Sequence, residues 1–155
     1  MPPTLRQAKA EDAESVSRLI NIAFRSERFF CDEDRTNPGE VGDLMKKGIF
    51  LLAEEGGDMV ACVYLEPRGD RVYLGLLSVE PSRQKSGMGS FLMNASEDYA
   101  RSQGAHAMDL QIVNVRTELP SYYGRFGYVE TGAIPFPSQK KTKMPCHLVI
   151  YSKNL

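Results

Sequence analysis

One stretch, Val72 to Met93, limits what this chain can fold into more than any other. It opens as an apolar run rich in strand formers and stops at Pro81. A short polar loop with Arg83 and Lys85 follows and ends in Gly87-Met88-Gly89. Beyond it, Met88, Phe91, Leu92, Ala95 and Tyr99 recur at helical spacing. The unit is strand, glycine-containing loop, helix N-terminus. Such a junction leaves backbone N–H groups unpaired at the positive end of a helix dipole, which suits a phosphate.

Two common phosphate loops do not fit. No Gly-Lys-Ser/Thr string follows at Walker spacing, and position 92 is Leu where a dinucleotide fingerprint needs a third small residue. The string instead resembles motif A of the GCN5-related N-acetyltransferase superfamily, Gln/Arg-x-x-Gly-x-Gly/Ala after a strand. Gln84, Gly87 and Gly89 fill its defined positions, and Val79-x-Pro81 precedes them. A later segment resembles the superfamily's Tyr-x-x-x-Gly-Phe. Tyr123, Gly127 and Tyr128 match it, with Tyr in place of the final Phe.

The resemblance spans nearly the whole chain and implies an α/β fold (α+β in some schemes). It has a mixed central sheet of six to seven strands, flanked by about four helices and splayed between the fourth and fifth strands. It further implies acetyl-CoA as co-substrate, with no metal. The pantetheine arm would pair with the backbone of Leu77, Ser78 and Val79, and the pyrophosphate would meet the N–H groups of Gln84, Lys85, Ser86, Gly87, Met88 and Gly89, with Ser90 in the first helical turn. Tyr123 would be the general acid, since a phenol of pKa ~10 suits a departing thiol of ~8.5. The family's pantetheine-binding Asn falls at Arg116, with Asn114 the nearby substitute. The family's frequent early-strand carboxylate falls at Tyr73. Glu66, Glu80, Glu118, His147 or a water chain then remain as routes for the amine proton.

At 155 residues, 42% hydrophobic, the chain suits a single domain over residues 1–155. No apolar run approaches the ~20 residues of a membrane span, and no signal-peptide pattern opens the sequence. A net charge of −1 offers no global attraction to nucleic acid or to an anionic membrane. Cys31, Cys62 and Cys146, at unrelated spacings, suit inert thiols in a reducing cytoplasm.

In chain order, Leu5 to Ala8 reads as a strand, and Ala13, Val16, Leu19, Ile20, Ala23 and Phe24 share a helical face. Arg25 to Gly42, with Phe29-Phe30 and Asn37-Pro38-Gly39 inside it, reads either as a mobile loop or as a loop with a short helix continuing into Val41 to Lys47. Ile49 to Glu54 and Met59 to Leu65 form a hairpin about Glu55-Gly56-Gly57-Asp58, and a second turn at Pro67 to Asp70 leads into the central strand. Met108 to Val113 is a strand parallel to the central one, Glu118 to Phe126 a short helix, and Tyr128 to Ala133 with Cys146 to Ser152 a closing pair. Lys140, Lys141 and Lys143 read as a solvated loop, with an acidic ligand as the sharper reading. Glu27, Asp32, Glu33 and Asp34 read first as a solvated acidic loop, and on charge alone also suit a cationic amine.

Two functions of different class follow. One is an acyltransferase acetylating a primary amine of a small molecule or peptide. The other is a weakly catalytic acyl-CoA-binding sensor. Dimerisation is common among relatives, but no apolar stripe in the sequence points to it.

Overall fold

A computed structural model describes residues 3–155. Its seven strands are β1 (Thr4–Gln7), β2 (Ile49–Glu55), β3 (Asp58–Arg68), β4 (Arg71–Val79), β5 (Ala107–Val113), β6 (Val129–Pro135) and β7 (His147–Asn154). The helices are α1 (Ala13–Ala23), α2 (Pro38–Met45), α3 (Met88–Ser102) and α4 (Leu119–Gly124). One sheet runs β1-β2-β3-β4-β5-β7-β6, and only β4 and β5 are parallel. A helical crossover between them requires that.

Strand alternation sorts the core onto two faces. Phe50, Leu52, Cys62 and Tyr64 pack against Val16, Leu19 and Ile20 of α1 and Val41 of α2. Leu51, Ala53, Val63 and Leu65 point the other way, toward Leu92 and Met93 of α3. The middle strands are therefore apolar on both sides, as a doubly covered sheet demands.

Two elements depart from the sequence-based reading. The short helix begins at Pro38, inside the stretch read as irregular, and not at Val41. The Asn37 side chain accepts from the Glu40 N–H at 2.9 Å, and Pro38 sits in the first turn, where its missing N–H costs nothing. The second hairpin is also tighter, because β3 continues to Arg68 and only Gly69-Asp70 turns. Pro67 pairs opposite Val72, while β2 pairing ends at Ile49↔Leu65. Its absent N–H thus falls on a side with no neighbouring strand.

The gap that matters lies between β4 and β5. Their pairing starts at Arg71↔Ala107 and ends at Leu74↔Leu110, although both strands continue. The cause is a bulge in β4: the register against β3 passes from Tyr64↔Gly75 to Cys62↔Ser78, so Leu76 and Leu77 both stand opposite Val63. Leu76 takes φ +55°, and a bulge of this kind bends and twists its strand. Here that carries the end of β4 away from β5.

Candidate active site

The end of β4 faces the gap with its backbone. The Glu80 N–H donates to the Val60 carbonyl at 2.8 Å, so Val79, one residue earlier, turns its N–H away from β3. Leu77 does the same by alternation, whereas Ser78 faces β3 and its hydroxyl donates to the Leu76 carbonyl at 2.9 Å. The Cys62 thiol opposite Ser78 is buried, and burial pushes it up to about 12.

Beyond Val79 the chain makes a 3-10 turn over Pro81–Arg83, with the Glu80 carboxylate accepting from the Ser82 N–H at 3.0 Å. The Gln84 side chain reaches back to the Val79 carbonyl at 3.4 Å. Lys85 and Gly87 both adopt positive φ, +67° and +88°. The first helical bond of α3 runs from the Phe91 N–H to the Gly87 carbonyl, so the amides of Met88, Gly89 and Ser90 have no helical acceptor. Residues Gln84 to Gly87 and Ser90 are exposed. A Cβ at Gly89 would collide with the Tyr122 hydroxyl, which leaves glycine as the residue for that approach.

Tyr123, on α4, packs on the core cluster that also carries Leu77 and Val79. Burial pushes its phenol well above the ordinary tyrosine range; the neighbouring Tyr122 adds to this and Arg116 opposes it. Past the end of α4, Gly127 adopts φ +94° and the Tyr128 N–H returns to the Tyr123 carbonyl at 3.3 Å.

Residue 116 holds the clearest surprise. Arg116 spans to Glu27 beyond α1 at 2.8 Å and also meets Glu118 at 3.3 Å. Burial raises the Glu27 carboxyl, and the Arg116 guanidinium only partly offsets it. Glu27 lines a cavity of about 200 Å³ between the segment after α1 and the β6–β7 connection. Sequence reasoning placed Glu27 only in an acid-rich loop, and nothing local distinguished it from its neighbours there. Its partner lies 89 positions away.

The other proton-transfer candidates sit elsewhere. Glu66 is buried enough to be pushed upward, but hydrogen bonds from Arg68 (2.6 Å) and Tyr64 (2.7 Å) win and hold it below the usual range. Glu80 caps its turn, Glu118 is exposed beside Arg116, and the His147 side chain is exposed. Asn114 lies at the end of β5, where its side-chain carbonyl accepts from the His147 N–H at 2.8 Å. Tyr73 lines the cavity, with the Arg68 guanidinium 4.3 Å from its ring centroid.

The two irregular segments meet each other. Lys143 pairs with Asp32 at 2.9 Å, its N–H donates to the Phe30 carbonyl at 2.8 Å, and the Lys141 N–H donates to Glu33 at 3.1 Å. Lys140 donates to the carbonyls of Asp34 and Arg35, each at 3.4 Å. The acids facing the lysine cluster thus belong to the chain itself, and Asp32, Glu33, Lys141 and Lys143 stay exposed, as a solvated loop would be.

Fold and site together define the acetyltransferase class. The model of the acetyltransferase (GNAT) family matches residues 13–128, and the chain belongs to that family. It is 30% identical over 144 residues to the uncharacterized N-acetyltransferase YhfO of Bacillus subtilis (strain 168), covering 85% of this chain and 94% of the relative. The fold matches that of the PaiA N-acetyltransferase from Thermoplasma acidophilum in complex with coenzyme A, at TM-score 0.81, 14% identity and full coverage of both chains (100%). It also matches YncA from Salmonella typhimurium with its cofactor acetyl-CoA, at TM-score 0.76 and 18% identity, covering 100% of this chain and 95% of that one. The expected sheet, splayed between its fourth and fifth strands, is the one observed.

Proposed function

We propose that the chain transfers the acetyl group of acetyl-CoA directly to a primary amine of a small molecule or peptide. One observation supports the reading: β4 parts from β5 beyond Leu74↔Leu110, Val79 there turns its N–H away from β3, and Tyr123 lies within electrostatic reach of Tyr73 and Glu27, which line the cavity. The residues present fit coenzyme A. The unpaired amides of Met88, Gly89 and Ser90 and the exposed loop from Gln84 to Gly87 suit its pyrophosphate. Leu77 and Val79 offer the pantetheine arm backbone partners, Ser78 holds the strand on its β3 side, and Asn114 keeps its amide N–H₂ free of the His147 contact.

When bound, acetyl-CoA supplies the activated acetyl thioester. Glu27 takes a proton from the incoming amine, and its raised affinity for protons makes it a stronger base than a solvated carboxylate. The Val79 N–H donates to the carbonyl oxygen as negative charge develops there. Tyr123 gives its proton to the sulfur as the C–S bond breaks and the C–N bond forms. Burial keeps that phenol protonated across neutral pH, so it is ready to donate. Glu27 then returns its proton, through solvent, to Tyr123.

Tyr123→Phe tests this most locally. Turnover is expected to fall about 100-fold, with calorimetric affinity for coenzyme A nearly unchanged. Turnover equal to that of the parent would remove the general-acid role.

A further inference from the structure

Three arginines, Arg25, Arg35 and Arg125, have no carboxylate within salt-bridge distance among the described residues. Arg25 and Arg125 are exposed, and Arg35 is half-buried. Of the carboxylates that line a cavity with it, Glu27 pairs with Arg116, Glu33 accepts from the Lys141 N–H and Glu66 pairs with Arg68, while Arg35 acts on Glu27 only through space. A half-buried guanidinium with no direct ion pair keeps N–H donors that an anionic ligand can take up.

Arg35 also stands where such a ligand would lie. The 200 Å³ cavity adjoins a second of about 400 Å³ toward α2, and Arg35, Tyr73, Leu76 and Gln111 line both. Arg35 is the one charged residue common to the two. Its guanidinium lies 5.5 Å from the Phe24 ring centroid, and Lys140 grips the carbonyls of Asp34 and Arg35, so backbone and side chain are both held. Gln111 and Tyr73 add an amide and a phenol at the same junction. Phe24, Phe30, Phe136 and Leu148 wall the first cavity with apolar surface, and Glu27 lies on it.

Resting on the acetyltransferase reading above, we propose that the acceptor is an amino acid-like molecule: a primary amine beside a carboxylate, with an apolar side chain. Arg35 and Gln111 hold the carboxylate, the apolar wall takes the side chain, and the amine turns toward Glu27. Arg35 is a specificity residue in this arrangement and takes no part in the bond changes.

The test compares L-phenylalanine, L-leucine and L-methionine with their amides and decarboxylated amines. Thiol release from acetyl-CoA and calorimetric binding are both read on the full chain. The amino acids are expected to show KM values about 10- to 100-fold below those of the two analogues, since a charged hydrogen-bonding site rejects a ligand lacking the charge. Arg35→Gln should remove that preference by raising KM for the amino acids, with the loss in KM and not in kcat. Equal KM for acids and amides on the parent chain would overturn the proposal without reference to any variant. Amino acids that neither bind nor react would overturn it too, while turnover of other amines would leave the acetyltransferase reading standing. Arg35-dependent binding of the amino acids without thiol release would support the anion anchor and count against acetyl transfer.

Discussion

Glu27 and Tyr123 divide the proposed chemistry, and both are displaced upward by burial. The two displacements act on opposite limbs of a pH–rate profile. Glu27 must be ionised to accept a proton, so activity should fall on the acid side at a pH above the ordinary carboxylate value of ~4.3. Tyr123 must be protonated to donate, so the alkaline fall should come above the ordinary phenol value of ~10. Glu27→Gln should lower kcat about 100-fold and abolish the acid limb. An unchanged acid limb in that variant would assign the base elsewhere. Tyr123 was legible in the sequence because its spacing to Gly127 is local. Glu27 was not, because its meaning comes from Arg116 across the fold and from a cavity that no local pattern encodes.

At the scale of elements, the loop into α3 owes its shape to a few backbone angles. Gly87 precedes α3 in the left-handed region, and a Cβ there would meet nothing within 4 Å. Gly87→Ala therefore carries only conformational strain, about 1 kcal/mol. Gly87→Glu adds a negative charge beside the proposed phosphate site, and coenzyme A binding should be lost by calorimetry. Unchanged affinity in Gly87→Glu would remove the loop from the binding account. The other end of the fold predicts an acid response. Arg6 grips Asp12 through two hydrogen bonds of 2.8 and 2.9 Å, tying β1 to the entry of α1. That guanidinium holds the Asp12 carboxyl down at about 2, despite partial burial. A depressed acid contributes stability in full above its unfolded value of ~3.9 and loses it as pH falls through the folded value. Asp12→Asn should thus narrow the parent's drop in thermal midpoint between about pH 4 and 2, and an identical slope in both proteins would deny the pair that role. Most elements could be read in advance from period and turn chemistry. The misreadings at Pro38 and Pro67 share one cause: a proline is tolerated wherever its missing N–H has no partner to lose, which depends on neighbours the local string does not name.

Across the whole molecule, two segments of opposite charge pattern, around Asp32 and Lys143, close on each other over the cavity that Glu27 lines. Separately each resembles a solvated loop. Joined, they wall one side of that cavity. The parallel pairing of β4 and β5 was legible because the crossover through α3 forces it, whereas their splay was expected only from the resemblance of the two motifs. The bulge at Leu76 that opens the sheet was not legible, since nothing in Gly75-Leu76-Leu77 demands a positive φ at a leucine. The most direct measurement is thiol release from acetyl-CoA by the purified chain across amino acids, polyamines, aminoglycosides and peptides, with the acetylated amine identified by mass. The account predicts sustained release with stoichiometric N-acetyl product for at least one class. Tight coenzyme A binding with no acetylated product from any of them would contradict it, and would make the chain a binder of coenzyme A instead of an acetyltransferase.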